Sequence, residues 1–298
     1  MRRFIRAVLV FIVVAGAPLS AQQVAPAWLL VARADRLMES SEIGLAIRTL
    51  RQALELEPNS PEANFALGRA YAATGIPGDI AVAHEYFSRA LEHRDRFTVP
   101  DSAILVRYAR SDLYRLTRDF AQYEQELLRI LNEAPLPGDV LLPANPGRQI
   151  AAQGLDRTMI LYRANEDGAT DARGRLAALF VGLGRYEDAA AAAAIAVVQG
   201  VTTLVDGVLA RDPLFEYSTF EALLDHARRY AETRRYIEQT TLFRDLYYLA
   251  AAWLGSGERA AVALWQRIAA IPEAGTFATR ASVQAREPQP EPLLVPLP

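Results

Sequence analysis

The sequence predicts an all-α chain of repeated antiparallel helix pairs, and three observations predict it. Small residues recur at fixed distances ahead of large ones. Proline or glycine-rich turns punctuate the apolar segments, and no sheet or barrel pattern is visible. Fixed-period self-similarity of this kind is the mark of a stacked repeat architecture.

The first unit is LLVARADRLMESSEIGLAIRTLRQALELEP, residues 29–58, in which Ala34 precedes Leu37 and, after a turn, Ala46, Leu50 and Ala53 lead to Pro58. The second, residues 64–93, repeats the order with Gly68, Tyr71, Ala83, Phe87 and Ala90. Ala34 to Gly68 and Leu37 to Tyr71 are each 34 residues, whereas Ala46 to Ala83 is 37, which places three extra residues in the turn around Ile76-Pro77-Gly78. Two antiparallel helices approach closely only where side chains are small. Large residues one turn away then fill the space between pairs, and a proline past the second helix stops it, lacking an N–H and clashing with the preceding turn.

On these residues, and on LGRAY at 67–71 and RALE at 89–92, the chain resembles the tetratricopeptide repeat (TPR) family, including its bacterial exported members. The resemblance implies an α-α superhelix of tetratricopeptide-like helical hairpins, here interrupted by an irregular insert. Residues 104–135 form a third unit through Tyr114, Phe120, Leu127 and Ile130, with Tyr123 where the family places a small residue. Residues 170–203 form a fourth (Leu176, Ala177, Phe180, Gly184, Ala189, Ala193), and residues 244–272 a fifth (Leu249, Ala250, Trp253, Gly257, Ala261, Trp265).

The expected organisation is therefore a signal peptide at 1–21, an N-terminal array at 22–135, an insert at 136–168, a C-terminal array at 169–275 and a proline-rich extended tail at 276–298. Within the insert, residues 136–150 read as loop and 151–168 as a non-repeat helix through Leu155, Met159 and Tyr162. The DPLF…FEALL run looks like the extra helix that comes after repeats in many bacterial relatives, with Phe215, Phe220 and Leu224 packing on the preceding pair. Five prolines in the last 13 residues forbid helix there. That stretch is expected to stay extended unless a partner or the body holds it.

The N-terminus, MRRFIRAVLVFIVVAGAPLSAQQ, has a basic start, an apolar run from Ala7 to Ala17 and small residues before Gln22. Eleven apolar residues fall short of the roughly 17–25 of a spanning helix, so cleavage after Ala21 and a periplasmic or envelope location are expected. No later apolar run of spanning length is expected.

Composition removes several chemistries. There is no cysteine, and all 32 basic residues are arginine, so thiolates, Schiff-base lysines and phosphate loops ending in Gly-Lys are absent. Without Arg2, Arg3 and Arg6 the net charge is about −6 and no basic run remains, which argues against nucleic acid. His84, His93 and His226 have no zinc-ligand spacing. NEDG at 165–168 has too few carboxylates for a calcium loop. Asp225 and Arg228, three apart on a predicted helix, are expected to pair. No metal and no cofactor are expected, and no enzyme.

What the resemblance implies is a scaffold that binds a protein or peptide along the inner face of the first helix of each pair. Mapped onto this chain, that face carries Phe65, Arg69 and Ala72, then Tyr108, Asp112 and Arg115, then Arg244 and Tyr247. Aromatic residues beside arginine are the composition of interface hot spots. The family's carboxylate-clamping members use lysine and asparagine there, so acidic chaperone tails are not expected partners. An alternative is a ligand-handling accessory of an envelope transporter, with a small or lipidic molecule in an apolar pore lined by the insert. A carboxylate-only hydrolase would need two buried carboxylates facing each other across a groove.

Overall fold

A computed structural model describes residues 25–137, 140 and 142–293. The export segment expected at 1–21 lies outside the described residues, as do the last five residues of the tail. Helices α1 (Ala27–Glu39) and α2 (Ile43–Leu56) form the first pair, α3 (Pro61–Ala72) and α4 (Pro77–Glu92) the second, α5 (Ser102–Leu116) and α6 (Phe120–Glu133) the third. After the insert come α7 (Pro146–Gln153) and α8 (Leu155–Leu161), then the fourth pair, α9 (Thr170–Gly182) and α10 (Tyr186–Leu209). Two short helices, α11 (Phe220–Ala227) and α12 (Ala231–Gln239), precede the fifth pair, α13 (Leu242–Gly255) and α14 (Ala260–Ala269), and α15 (Thr276–Arg286) comes last. Among the described residues there is no strand, and successive pairs pack one on the next as an α-α superhelix.

Every hairpin turn contains one left-handed residue: Ser41, Gly75, Arg118, Gly184 and Gly257. In four of them the next residue donates its N–H five positions back, Glu42 to Leu37, Asp119 to Tyr114, Arg185 to Phe180 and Glu258 to Trp253, at 2.8–2.9 Å. That six-to-one bond closes a Schellman cap and satisfies a carbonyl the helix end would leave bare. The acceptors are the large residues that define the repeat. The second hairpin lacks this bond, because its turn carries the extra residues around Pro77.

The close approach that the repeat requires is present at Gly68. A Cβ there would lie 2.5 Å from the Phe87 ring and 3.2 Å from the Ala83 carbonyl oxygen. Ala34, Ala46, Ala83, Ala177, Ala189 and Ala250 are fully buried. Gly68→Leu is therefore expected to force α3 from α4 and lower stability by about 1–3 kcal/mol, the usual cost of overpacking, as read by urea unfolding.

Four expectations need correction. The loop expected to run to residue 150 ends earlier: Asn145 accepts from the Arg148 N–H (3.0 Å) and caps α7 at Pro146. The single insert helix expected at 151–168 is broken at Gly154, whose φ of +85° no helix allows. The tail expected to be extended from 276 begins with α15, which packs on α14. Finally, α10 runs 24 residues and is long and apolar enough to cross a membrane, contrary to the expectation of no such run. Fourteen of its residues are buried against α7, α9 and α13, which is the environment of a core helix.

The insert is fastened down. A Cβ on Gly147 would meet the Ala190 backbone at 2.9 Å, and Trp253 Nε1 donates to the Gly147 carbonyl (3.1 Å). Asp156 accepts from the Phe220 N–H (2.9 Å) and from Arg267 (3.2 Å). Phe215, Phe220 and Leu224 are buried in the same core as α10, as the extra-helix reading expects, and Asp225 pairs with Arg228 at 2.7 Å.

Candidate interaction face

Side chains join the first helices of the third, fourth and fifth pairs in series. On α5 the Tyr108 hydroxyl donates to the Gly168 carbonyl (2.9 Å) and accepts from the Ala172 N–H (3.0 Å). Asp112 accepts from Arg175 of α9 (2.6 Å), which also donates to Asp171 (2.6 Å). Asp171 accepts in turn from Arg244 of α13 (2.6 Å), and Arg244 donates to Asp245 (2.8 Å). The ladder Asp112–Arg175–Asp171–Arg244–Asp245 runs from part-exposed to buried: side-chain exposure is 44% at Asp112, 24% at Arg175 and 32% at Asp171, then 11% at Arg244 and 1% at Asp245.

That difference in burial decides the charge states. Burial works to raise the Asp171 carboxyl, but Arg244 and Arg175 hold it below its ordinary range. At Asp245 burial wins over Arg244 and pushes the carboxyl up to about 6. Gly174 explains how α13 comes so near. A Cβ there would overlap both Arg244 and Asp245, so only glycine lets α9 pass over the pair.

The seven expected face residues divide between open and closed ground. Phe65 is half-buried, tilted on Phe87 with ring centroids 5.9 Å apart. Arg69 is exposed, its guanidinium 5.7 Å from the Phe65 ring and 3.5 Å from Asp35 of α1. Asp112 and Arg115 lie 3.7 Å apart at the open end of the ladder. Tyr108 is half-buried and spends its hydroxyl on the α5–α9 junction. Arg244 and Tyr247 are not on an open face. Arg244 is enclosed by Asp171 and Asp245, and Tyr247 is 1% exposed because α15 and residues 287–293 cover it. Arg244 is closed in by α9 and its own neighbour Asp245, and Tyr247 by the C-terminal segment of the chain.

Register alone missed Asp35, Asp171, Arg175, Arg280 and Glu291. Asp171 and Arg175 were readable as an i,i+4 ion pair. Glu291 was not, since its partner Tyr247 is 44 residues away.

The other candidates resolve simply. In NEDG, Asp167 accepts from Arg173 (2.7 Å), Gln199 (3.1 Å) and the Ala169 N–H (2.8 Å), so its oxygens serve the fold. His84 lies against Tyr114 and His226 against Phe215, at 4.4 and 4.6 Å. The hollow beside the insert holds about 590 Å³. Polar Arg163, Asn165, Glu166 and Asp167 line it together with Val140 and Leu161, and it is open to solvent.

A family model described as TPR repeat matches residues 34–75, from the middle of α1 through the left-handed Gly75. A search of curated proteins gives no match. The matched segment holds the Ala34–Leu37 and Gly68–Tyr71 pairs, and the Schellman turn of its first hairpin recurs in the third, fourth and fifth. Residues 34–75 thus match a tetratricopeptide repeat, and the helix pairs that follow carry on the same all-helical arrangement.

Proposed function

We propose that this protein is an exported adaptor that holds another protein or peptide in the cell envelope along the first-helix face of its N-terminal pairs. A TPR array is a protein-interaction scaffold. The observation that supports this use of the face is the Asp35–Arg69–Phe65 group: an exposed guanidinium poised over an aromatic ring and steered by a carboxylate. The ring and the carboxylate bias where the guanidinium lies, which lowers the side-chain entropy lost on binding. The group also offers an apolar plate and a forked donor together. The ligand-handling alternative finds less support, since the insert packs on α10 and the hollow beside it is open to solvent, with apolar and charged side chains mixed in its lining.

The test is quantitative capture from envelope extracts with purified chain beginning at Gln22. Wild type is expected to retain a partner saturably. Phe65→Ala and Arg69→Ala are each expected to weaken retention roughly tenfold or more, the size of a hot-spot truncation. Equal retention by all three chains would remove this face from the proposal. Sequencing of the envelope-extracted protein should find Gln22 at its N-terminus.

A further inference from the structure

The C-terminal part of the first-helix face is already occupied, and its occupant is the chain itself. After α15 the sequence Glu287-Pro288-Gln289-Pro290-Glu291-Pro292-Leu293 turns back over α13 and α9. Glu291 is the anchor: its side chain is 9% exposed. It accepts from the Tyr247 hydroxyl, from Arg280 (2.8 Å) and from Gln284 (3.0 Å). Arg280 is fixed in turn by aromatic rings, its guanidinium 4.4 Å from Tyr247, 5.4 Å from Phe277 and 5.6 Å from Tyr248.

Two further contacts read backbone. The Gln284 amide donates to the Gln289 carbonyl (3.1 Å) and accepts from the Gln289 N–H (2.8 Å), the two-point grip one strand would give another. Further on, the chain passes so near α9 that a Cβ on Gly182 would lie 2.7 Å from the Leu293 Cα. Alternate prolines suit the ligand's part. They hold the chain extended, so little conformational entropy remains to be lost on docking, and they remove N–H groups that would otherwise need partners.

We infer that the Tyr247–Arg280–Gln284 notch and the Gly182 seat form a binding site for extended acidic, proline-flanked peptide, which residues 287–293 fill in cis. The inference rests on the reading that first-helix faces of this chain receive peptide, and adds what one stretch accepts and how it is kept closed. Because the tail continues directly from α15, its effective concentration at the site is in the range of millimolar. A free peptide of the same chemistry binds well only when the tail lets go.

The test uses the full chain and a capped peptide of residues 287–293 carrying a fluorophore. Glu291→Ala in the chain removes the anchor but leaves the site. Peptide binding by anisotropy is expected to be at least tenfold tighter to this variant than to wild type. Adding Arg280→Met, or placing glutamine at the Glu291 position of the peptide, should reverse that gain. A Glu291→Ala chain that melts like wild type yet binds no better than wild type overturns the inference. Should the variant fail to fold, hydrogen exchange on wild type decides. The Gln289 amide is expected to exchange at least a hundredfold faster than α13 amides through release of the tail, and equal protection overturns the inference. The probe and residues differ from those of the Phe65 and Arg69 test, so either reading can fail while the other stands.

Discussion

Replacing Arg244 by methionine is expected to destabilise the protein by about 3–5 kcal/mol, the cost of leaving one member of a buried ion pair behind. Asp245 is 1% exposed, and besides Arg244 its carboxylate has only the Thr241 hydroxyl at 3.3 Å. Methionine fills the space of the arginine stem but supplies no donor. The cost should depend on pH in a defined direction. Burial already lifts Asp245 to about 6 in the wild-type fold. Between the ordinary aspartate range and that value the folded chain holds a proton that the unfolded chain has released. Stability from this group is therefore present at the acid end and lost as pH rises through about 6. Without Arg244 the carboxyl rises further, so the same loss continues to higher pH. Urea unfolding should show a smaller wild-type–variant difference at pH 5 than at pH 8. Arg244→Met combined with Asp245→Leu should recover much of the loss, since apolar replacements of whole buried pairs are often tolerated. Equal destabilisation at both pH values would mean that the Asp245 charge is satisfied by something other than Arg244.

The repeat was legible because its physical requirement is narrow. Only glycine or alanine allows the Gly68–Ala83 approach, and only a few residue types stop a helix, so order and spacing carry the information. The same reasoning reached the packing of Phe215, Phe220 and Leu224. It failed where the apolar signal is short or the contact is not local. Helix α15 packs on α14 and the core through Ala281 with partly buried Phe277, Ala278 and Ala285; that short stripe was outweighed by the prolines that follow it. In the insert the Asn145-Pro146 start is a readable signal, a side-chain cap with proline in the first turn. The surrounding prolines and glycines mask it, because they suggest loop more strongly than one cap suggests helix. The face residues show the same division. Phe65 and Arg69 lie beside each other on α3, with Arg69 exposed. Tyr247, expected on an open face, is covered by a segment some 40 residues later, and no local pattern encodes that contact.

Glu126 makes the second large prediction, and with Asp245 it shows why burial alone does not set a carboxylate's state. It is fully buried on α6 and accepts from Arg110 (2.5 Å), Arg107 (3.4 Å) and Arg129. Burial works against its charge, yet Arg110, Arg129 and Arg107 together hold the carboxyl below the ordinary glutamate range. Asp245 has one close guanidinium and goes up; Glu126 has three and goes down. Glu126→Ala leaves Arg110, 12% exposed, with only the Ser88 hydroxyl at 3.3 Å, whereas Arg107 keeps Glu133 at 2.6 Å. The expected cost is again about 3–5 kcal/mol, now from a stranded cation. Glu126→Gln should cost less, because the amide oxygen still accepts one bond. Here the pH sign is opposite. A depressed carboxyl contributes stability above its unfolded range and loses it as pH falls through the folded value. The difference between wild type and Glu126→Gln should therefore shrink on acidification, in urea unfolding measured from pH 7 downward. A difference that stayed constant or grew would mean that the three arginines are satisfied without the Glu126 charge, and that the α5–α6 pair is held by its Val106, Leu127 and Ile130 packing and the Arg107–Glu133 pair.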